Sequence, residues 1–169
     1  MWLLAQQSVS KGIAWKGKSN AGRDGAVLAC FWKSRDHLRC VSGGADRTIK
    51  EWDMSKGYCL QTIMCGSTCF DVCMSFDGST VISGHFDGSL RLWDYRTGAF
   101  ERDIKGLHGS QLVSIQMGLL GNALLTCGRD NLLKLVDIQK HVERGQWTLD
   151  ETGLHVAAAR RNQIIFPVA

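Results

Sequence analysis

A single proline, Pro167, stands against 19 glycines in 169 residues. Glycine without proline suits a chain of strands and tight turns better than a flexible linker. No run approaches the roughly 18 apolar residues of a membrane-spanning helix. The apolar head Trp2-Leu3-Leu4-Ala5 is too short for the core of a secretory signal. The seven cysteines are Cys30, Cys40, Cys59, Cys65, Cys69, Cys73 and Cys127. An odd count with no signal segment argues against a secreted disulfide framework, so the thiols are expected to be reduced and the chain intracellular. No C-x-x-C pair occurs. Cys65, Cys69 and Cys73 recur every four residues, and on a strand Cys69 and Cys73 would share one face as small core residues.

Enzyme signatures are also missing. The histidines are His37, His85, His108, His141 and His155, and no two form the H-E-x-x-H pattern of a zinc protease. Neither Gly-Arg-Asp, at 22–24 or 128–130, leads into the Gly-Lys-Ser/Thr of a phosphate loop. No catalytic residue, metal site or cofactor is expected. Residues 1–23 contain no acid and carry Lys11, Lys16, Lys18 and Arg23, whereas residues 24–169 hold 16 basic and 16 acidic residues. The neutral bulk lacks the basic footprint of a nucleic-acid-binding body.

What is present is a repeat. CVSGGADRTIKEWD ends at Asp53, VISGHFDGSLRLWD at Asp94 and LLTCGRDNLLKLVD at Asp137. Trp52, Trp93 and Val136 precede those aspartates at intervals of 41 and 43 residues. An inner aspartate (Asp46, Asp87, Asp130) lies six residues earlier, and a hydroxyl (Ser42, Ser83, Thr126) four before that. In the second copy, Cys69–Ser75, Thr80–Ser83, Leu90–Asp94 and Ala99–Ile104 read as four strands. Asp77-Gly78 and Asp87-Gly88 supply turn chemistry between them. Trp93 is large enough to fill the wedge between neighbouring sheets, and Ser83 offers its indole an acceptor.

Four-stranded antiparallel units of about 40–45 residues ending in Trp-Asp define the WD40 β-propeller. The expected fold is all-β, an incomplete arc of about three to three and a half blades. We expect an unstructured head over 1–21 and a partial repeat domain over 22–159. Its blades span 22–64, 65–105 and 106–146, and a fourth starts at 147–159, where LDETGLHVAAA (149–159) resembles the next turn and second strand. A divergent tail follows over 160–169.

The WD40 bonding set wants a histidine near the head of each blade. Arg23 follows Gly22 in the first, Ser67 follows Gly66 in the second, and the third has Gly106, Leu107 and then His108 but Val136 for the tryptophan. No blade is complete, which predicts a greater reliance on apolar packing.

The segments Asp46–Cys59, Ile82–Asp94, Leu124–Asp137 and the cysteine-bearing STCFDVCMSFDG (Ser67–Gly78) resemble the WD40 region of the autophagy-related 16 family, plant forms in particular. The resemblance covers about residues 22–138, with a weaker echo at 147–159. It implies a noncatalytic interaction scaffold that recruits partners or cargo to the autophagy conjugation complex. The implied partners are conjugation machinery or cargo receptors. The implied location is the cytoplasm, with recruitment to the phagophore or autophagosome membrane through other proteins. Family members also carry a conjugate-binding segment and a coiled coil, which these residues do not match.

Phe86 and Arg129 each precede a turn aspartate, which places them on the narrow propeller face as candidate contacts. Trp93-Asp94-Tyr95-Arg96 resembles the box by which some propellers dock onto the cullin-4 ligase adaptor. A substrate receptor acting through Arg96 is therefore the alternative. An open arc also exposes a strand edge and an inter-blade face, so self-association is expected.

Overall fold

The computed structural model describes residues 27–32, 39–118, 122–149, 155–158 and 164–168, and for 27–32, 155–158 and 164–168 the backbone alone. The lysine-bearing head, Gly22 and Arg23 lie outside the described residues. Three four-stranded antiparallel sheets follow one another along the chain. The first holds β1 (Val27–Trp32), β2 (Arg39–Gly44), β3 (Thr48–Asp53) and β4 (Tyr58–Met64). The second holds β5 (Cys69–Met74), β6 (Thr80–His85), β7 (Leu90–Asp94) and β8 (Phe100–Ile104). The third holds β9 (Leu112–Met117), β10 (Ala123–Gly128), β11 (Leu132–Asp137) and β12 (Val142–Thr148). Each sheet is a simple meander, and the first strand of each packs on the first strand of the next: β1 on β5, and β5 on β9.

A further pair, β13 (His155–Ala158) and β14 (Ile164–Val168), forms its own two-stranded sheet. β13 packs on β9 as β9 packs on β5, which gives it the place of a first strand rather than a second. Trp147 belongs to β12, where it opposes Leu133, so the third sheet runs through Thr148 and the fourth unit does not start at 147. Residues 164–168, placed in the divergent tail by the sequence pattern, pair with β13.

The repeated aspartates explain the turns. Asp46, Asp87 and Asp130 each use Oδ1 to accept the amide two residues on, from Thr48, Ser89 and Leu132, at 3.1, 3.1 and 3.2 Å. The residue after each carries a positive φ: Arg47 61°, Gly88 74° and Asn131 61°. Asparagine and glycine adopt that backbone readily, and arginine does so at a cost. At the opposite end, Asp53, Asp94 and Asp137 accept amides of the following turn, and Gly57, Gly98 and His141 take the left-handed position four residues on. A short side chain with two acceptor oxygens does in each of these turns what a ladder partner cannot.

The core lies between sheets. Ile49, Ile63, Val72, Val81 and Trp93 bury against one another between the first and second, and Ile82, Leu90, Leu112, Leu124 and Val136 between the second and third. Each fully buried aliphatic side chain contributes about 1.5–3 kcal/mol. The strand alternation is broken in one instructive place. Cys73 packs toward the third sheet, but Cys69 packs toward the first, against Gly43. The register shifts between Cys69 and Asp71, so a bulge at Phe70 turns Cys69 to the other side. The even spacing that predicts a shared face fails at that extra residue.

Candidate protein-interaction site

The two ends of the blades differ in chemistry. One end, called upper here, carries the turns at 44–48, 85–89 and 128–131 and the connections at 64–69 and 104–111. Backbone hydrogen bonds tie these loops into a continuous rim. Cys65 N donates to Arg47 O at 2.9 Å, Phe86 N to Thr68 O at 3.0 Å, His108 N to Gly88 O at 3.2 Å, and Arg129 N to Gln111 O at 2.8 Å. Phe86 stands on this rim 54% exposed, with its ring stacked on Phe70 at 6.3 Å and 23°. It is therefore both packed and accessible. Arg129 is exposed on the neighbouring turn. Arg96 lies at the other, lower end, exposed in the 94–98 turn beside a shallow depression lined by Gly78, Ser79, Asp94, Tyr95 and Thr97.

Beneath the rim sit hydrogen-bonded cores that hold it in place. In the first blade Trp52 Nε1 donates to Ser42 Oγ at 2.7 Å. In the second, Trp93 Nε1 donates to Ser83 Oγ at 2.8 Å, and Ser83 Oγ lies 2.8 Å from His85 Nε2. His85 Nδ1 lies 3.3 Å from the carbonyl of Ser67, which can only accept. Nδ1 therefore carries the proton, Nε2 accepts, and the chain runs Trp93 to Ser83 to His85 to Ser67. The head position has lost its histidine to Ser67, and His85, two residues beyond Ser83 on the same strand, takes over the bond. His85 thus restores the line from Trp93 through Ser83, but Asp87 accepts from Ser89 and Arg91 and stays outside it. Burial drives the His85 pKa down to about 4, with the Arg91 charge acting in the same direction.

The third blade uses His108. Its Nδ1 lies 3.0 Å from Asp130 Oδ1, its Nε2 2.9 Å from Thr126 Oγ1, and Gly109 N donates to Asp130 Oδ2 at 2.8 Å. Burial lowers the His108 pKa, opposed by Asp130. Burial also works against the Asp130 carboxylate, but the His108 and amide hydrogen bonds win and hold it below the ordinary value. Val136 is buried where a tryptophan would stand, so this set ends at Thr126. Both histidines are buried within these sets, as structural members.

Side chains also tie blade to blade. Arg91 Nη1 donates to Cys65 O at 2.7 Å, and Tyr95 donates to Glu51, which also accepts from Arg39 Nη1 at 2.9 Å. Asp71 Oδ2 accepts from Ile115 N at 2.8 Å and Ser114 Oγ at 3.3 Å, while its Oδ1 accepts from Val72 N. Desolvation raises the Asp71 pKa to about 6 against the pull of those donors. The repeat pattern reveals neither Asp71 nor His85, because both sit outside the register that the three copies share.

Sequence comparison agrees with the architecture. The model of the WD domain, G-beta repeat, matches residues 18–53 and 57–94. Autophagy-related protein 16 of Arabidopsis thaliana is 48% identical over 97 residues, covering 57% of this chain and 19% of that protein. Protein tipD of Dictyostelium discoideum is 43% identical over 103 residues, covering 60% of this chain and 17% of its own length. The chain thus spans about a fifth of these relatives. Among solved structures, the WD40 propeller domain of Doa1 superposes with a TM-score of 0.73 at 22% identity, over 80% of this chain and 45% of that one. The WD40 repeats of RRP9 give 0.68 at 16% identity, over 75% and 40%. Among the described residues no helix is long and apolar enough to cross a membrane.

Proposed function

For this chain of WD40 repeats, set as successive blades of a β-propeller, we propose the role of a noncatalytic protein-interaction scaffold in autophagosome assembly. The observation that carries this reading is the 48% identity to Arabidopsis Autophagy-related protein 16, which extends over more than half of the chain. The geometry supports it: hydrogen-bonded blade cores carry loops tied to one another by backbone hydrogen bonds, and Phe86 and Arg129 stand exposed on one rim. Such a surface recruits conjugation machinery or a cargo receptor by complementarity, and it meets membranes only through those partners. An open strand edge and an open inter-blade face would let copies associate within the same assembly.

A second reading is a substrate receptor of a cullin-4 ubiquitin ligase, favoured by the exposure of Arg96 at the lower end. Expression of the tagged full chain in starved plant cells separates the two. Accumulation at autophagosomes that is lost with Phe86→Ala plus Arg129→Ala and kept with Arg96→Ala supports the scaffold. Binding to the cullin-4 adaptor that Arg96→Ala abolishes, with no autophagosome signal, supports the receptor and overturns the scaffold.

A further inference from the structure

We infer that the free edge of β4 is a self-pairing surface, where two copies of the chain join as antiparallel strands about a twofold axis. β1 packs on β5 and β5 on β9, so the first strands lie innermost and β4, β8 and β12 form the outer circumference. Each of these outer strands pairs on one side only, with β3, β7 and β11 respectively. The other side offers backbone donors and acceptors to a further strand. This edge differs from the ends of the arc, because adding blades there would leave it uncovered. Self-pairing of this kind is independent of any role in autophagy.

The three outer strands are not equally guarded. β8 holds Glu101, Arg102 and Asp103, and β12 holds Glu143 and Arg144. Paired with itself about Arg102, β8 would set arginine against arginine and glutamate against aspartate, and like charges directly opposite repel. In β12, Glu143 accepts from Lys134 and Arg144 donates to Asp137, so both charges are anchored on that strand. β4, Tyr58–Met64, runs for seven residues with no charged side chain and no proline. Charge along an edge is how a sheet keeps other strands away, and β4 lacks it. Tyr58 is 42% exposed, Leu60 36% and Met64 71%, and Thr62 is exposed between them.

A second copy fits this edge because the strand is complementary to itself. In antiparallel pairing about Gln61, Tyr58 of each copy meets Met64 of the other, and Leu60 meets Thr62. An aromatic ring against a thioether is a favourable cross-strand pair, and the twofold axis makes it twice. Lys56, whose ammonium lies 5.9 Å from the Tyr58 ring, falls opposite Gly66, so the paired strands bring no like charges together. The contact is isologous and closes on itself, which stops association at the dimer.

Sedimentation equilibrium of the full chain is the test. A monomer–dimer equilibrium is expected with a Kd of about 10–100 µM, the strength of a small interface. Leu60→Lys and Met64→Lys each put a charge on the paired edge and are expected to weaken the dimer about tenfold. Gln146→Lys, on the exposed edge of β12, leaves it unchanged. Melting temperatures measured on dilute protein stay at the wild-type value, which separates a lost contact from lost folding; two variants guard against either one misfolding. Gln61→Cys in a Cys59→Ser background reads the register. Residue 61 alone stands opposite itself, with Cα atoms about 4.5–5.5 Å apart and within disulfide reach. Mild oxidation is expected to give a covalent dimer there and none with Gln146→Cys. A monomer at about ten times the expected Kd, open-ended polymers, undiminished dimer in both lysine variants, or equal cross-linking at 61 and 146 overturns the inference.

Discussion

The second and third blades build the same kind of hydrogen-bonded core from different parts. In the second, Trp93, Ser83 and His85 form a line that ends on the Ser67 carbonyl, and Asp87 turns to Arg91 and Ser89 instead. In the third, His108 reaches Asp130 and Thr126, and Val136 leaves no indole to extend the line. Each blade lacks one member that the other has. What both keep is a neutral histidine accepting on Nε2 from a strand hydroxyl at the upper end. The fold therefore demands a satisfied hydroxyl beneath the rim more than it demands a histidine at a fixed position in the chain.

The sharpest way to break the comparison is to give the second blade the third blade's residue. Trp93→Val opens a cavity between the first and second sheets and leaves Ser83 with one fewer donor. A loss of about 3–5 kcal/mol is expected in urea unfolding. The reciprocal Val136→Trp overfills a packed site and costs about 1–3 kcal/mol. A stabilised Val136→Trp would show that the third blade has room for the missing indole.

The next effect is pH dependence, where the two histidines oppose Asp71. His85 has an ordinary pKa of 6.5 and a folded value of about 4. Its stabilisation is complete above 6.5 and is lost as pH falls toward 4; His108 acts in the same direction. Asp71 has an ordinary value of 3.8 and a folded value of about 6. Its contribution is greatest below 3.8 and is lost as pH rises through 6. Each of the two groups with a stated value corresponds to about 3 kcal/mol of stability across its window. Between pH 4 and 6 their slopes have opposite signs, so the chain's own profile is shallow there. His85→Gln should unmask a stability that falls as pH rises through this window. Asp71→Asn should show a steeper gain over the same range, beneath a uniform loss from the donor that then faces Ile115 N–H. Parallel profiles for the two variants would refute the opposition.

The smallest effect sharpens the comparison most. Ser67→His restores the head histidine of the second blade, but His85 already occupies Ser83. We expect a change within about 0.5 kcal/mol in the same urea experiment, the size of an ordinary surface substitution. In the His85→Gln background the restored histidine can accept from the Ser83 hydroxyl, and the same substitution should recover about 1 kcal/mol of hydrogen bonding.

Much of this architecture was legible in advance because it is periodic. Trp52, Trp93 and Val136 mark the third strand of each sheet, and the aspartates at 46, 87 and 130 mark the upper turns because each must accept an amide that no ladder reaches. Candidate contacts at Phe86 and Arg129 followed from their register with those turns.

The chain's own order of residues thus determined the strands, their antiparallel pairing and the chemistry of each turn, since these depend on neighbours a few positions apart. Tertiary structure alone decided which side of its sheet Cys69 faces, because one bulge residue inverts a strand's alternation. It also decided that His85 would replace the histidine missing at Ser67, and that Asp71 would join two blades. Those outcomes depend on distances between groups far apart in the chain, as with the carboxylate of Asp71 and the amide of Ile115, 2.8 Å apart across 44 residues. No spacing within a single repeat encodes such a meeting.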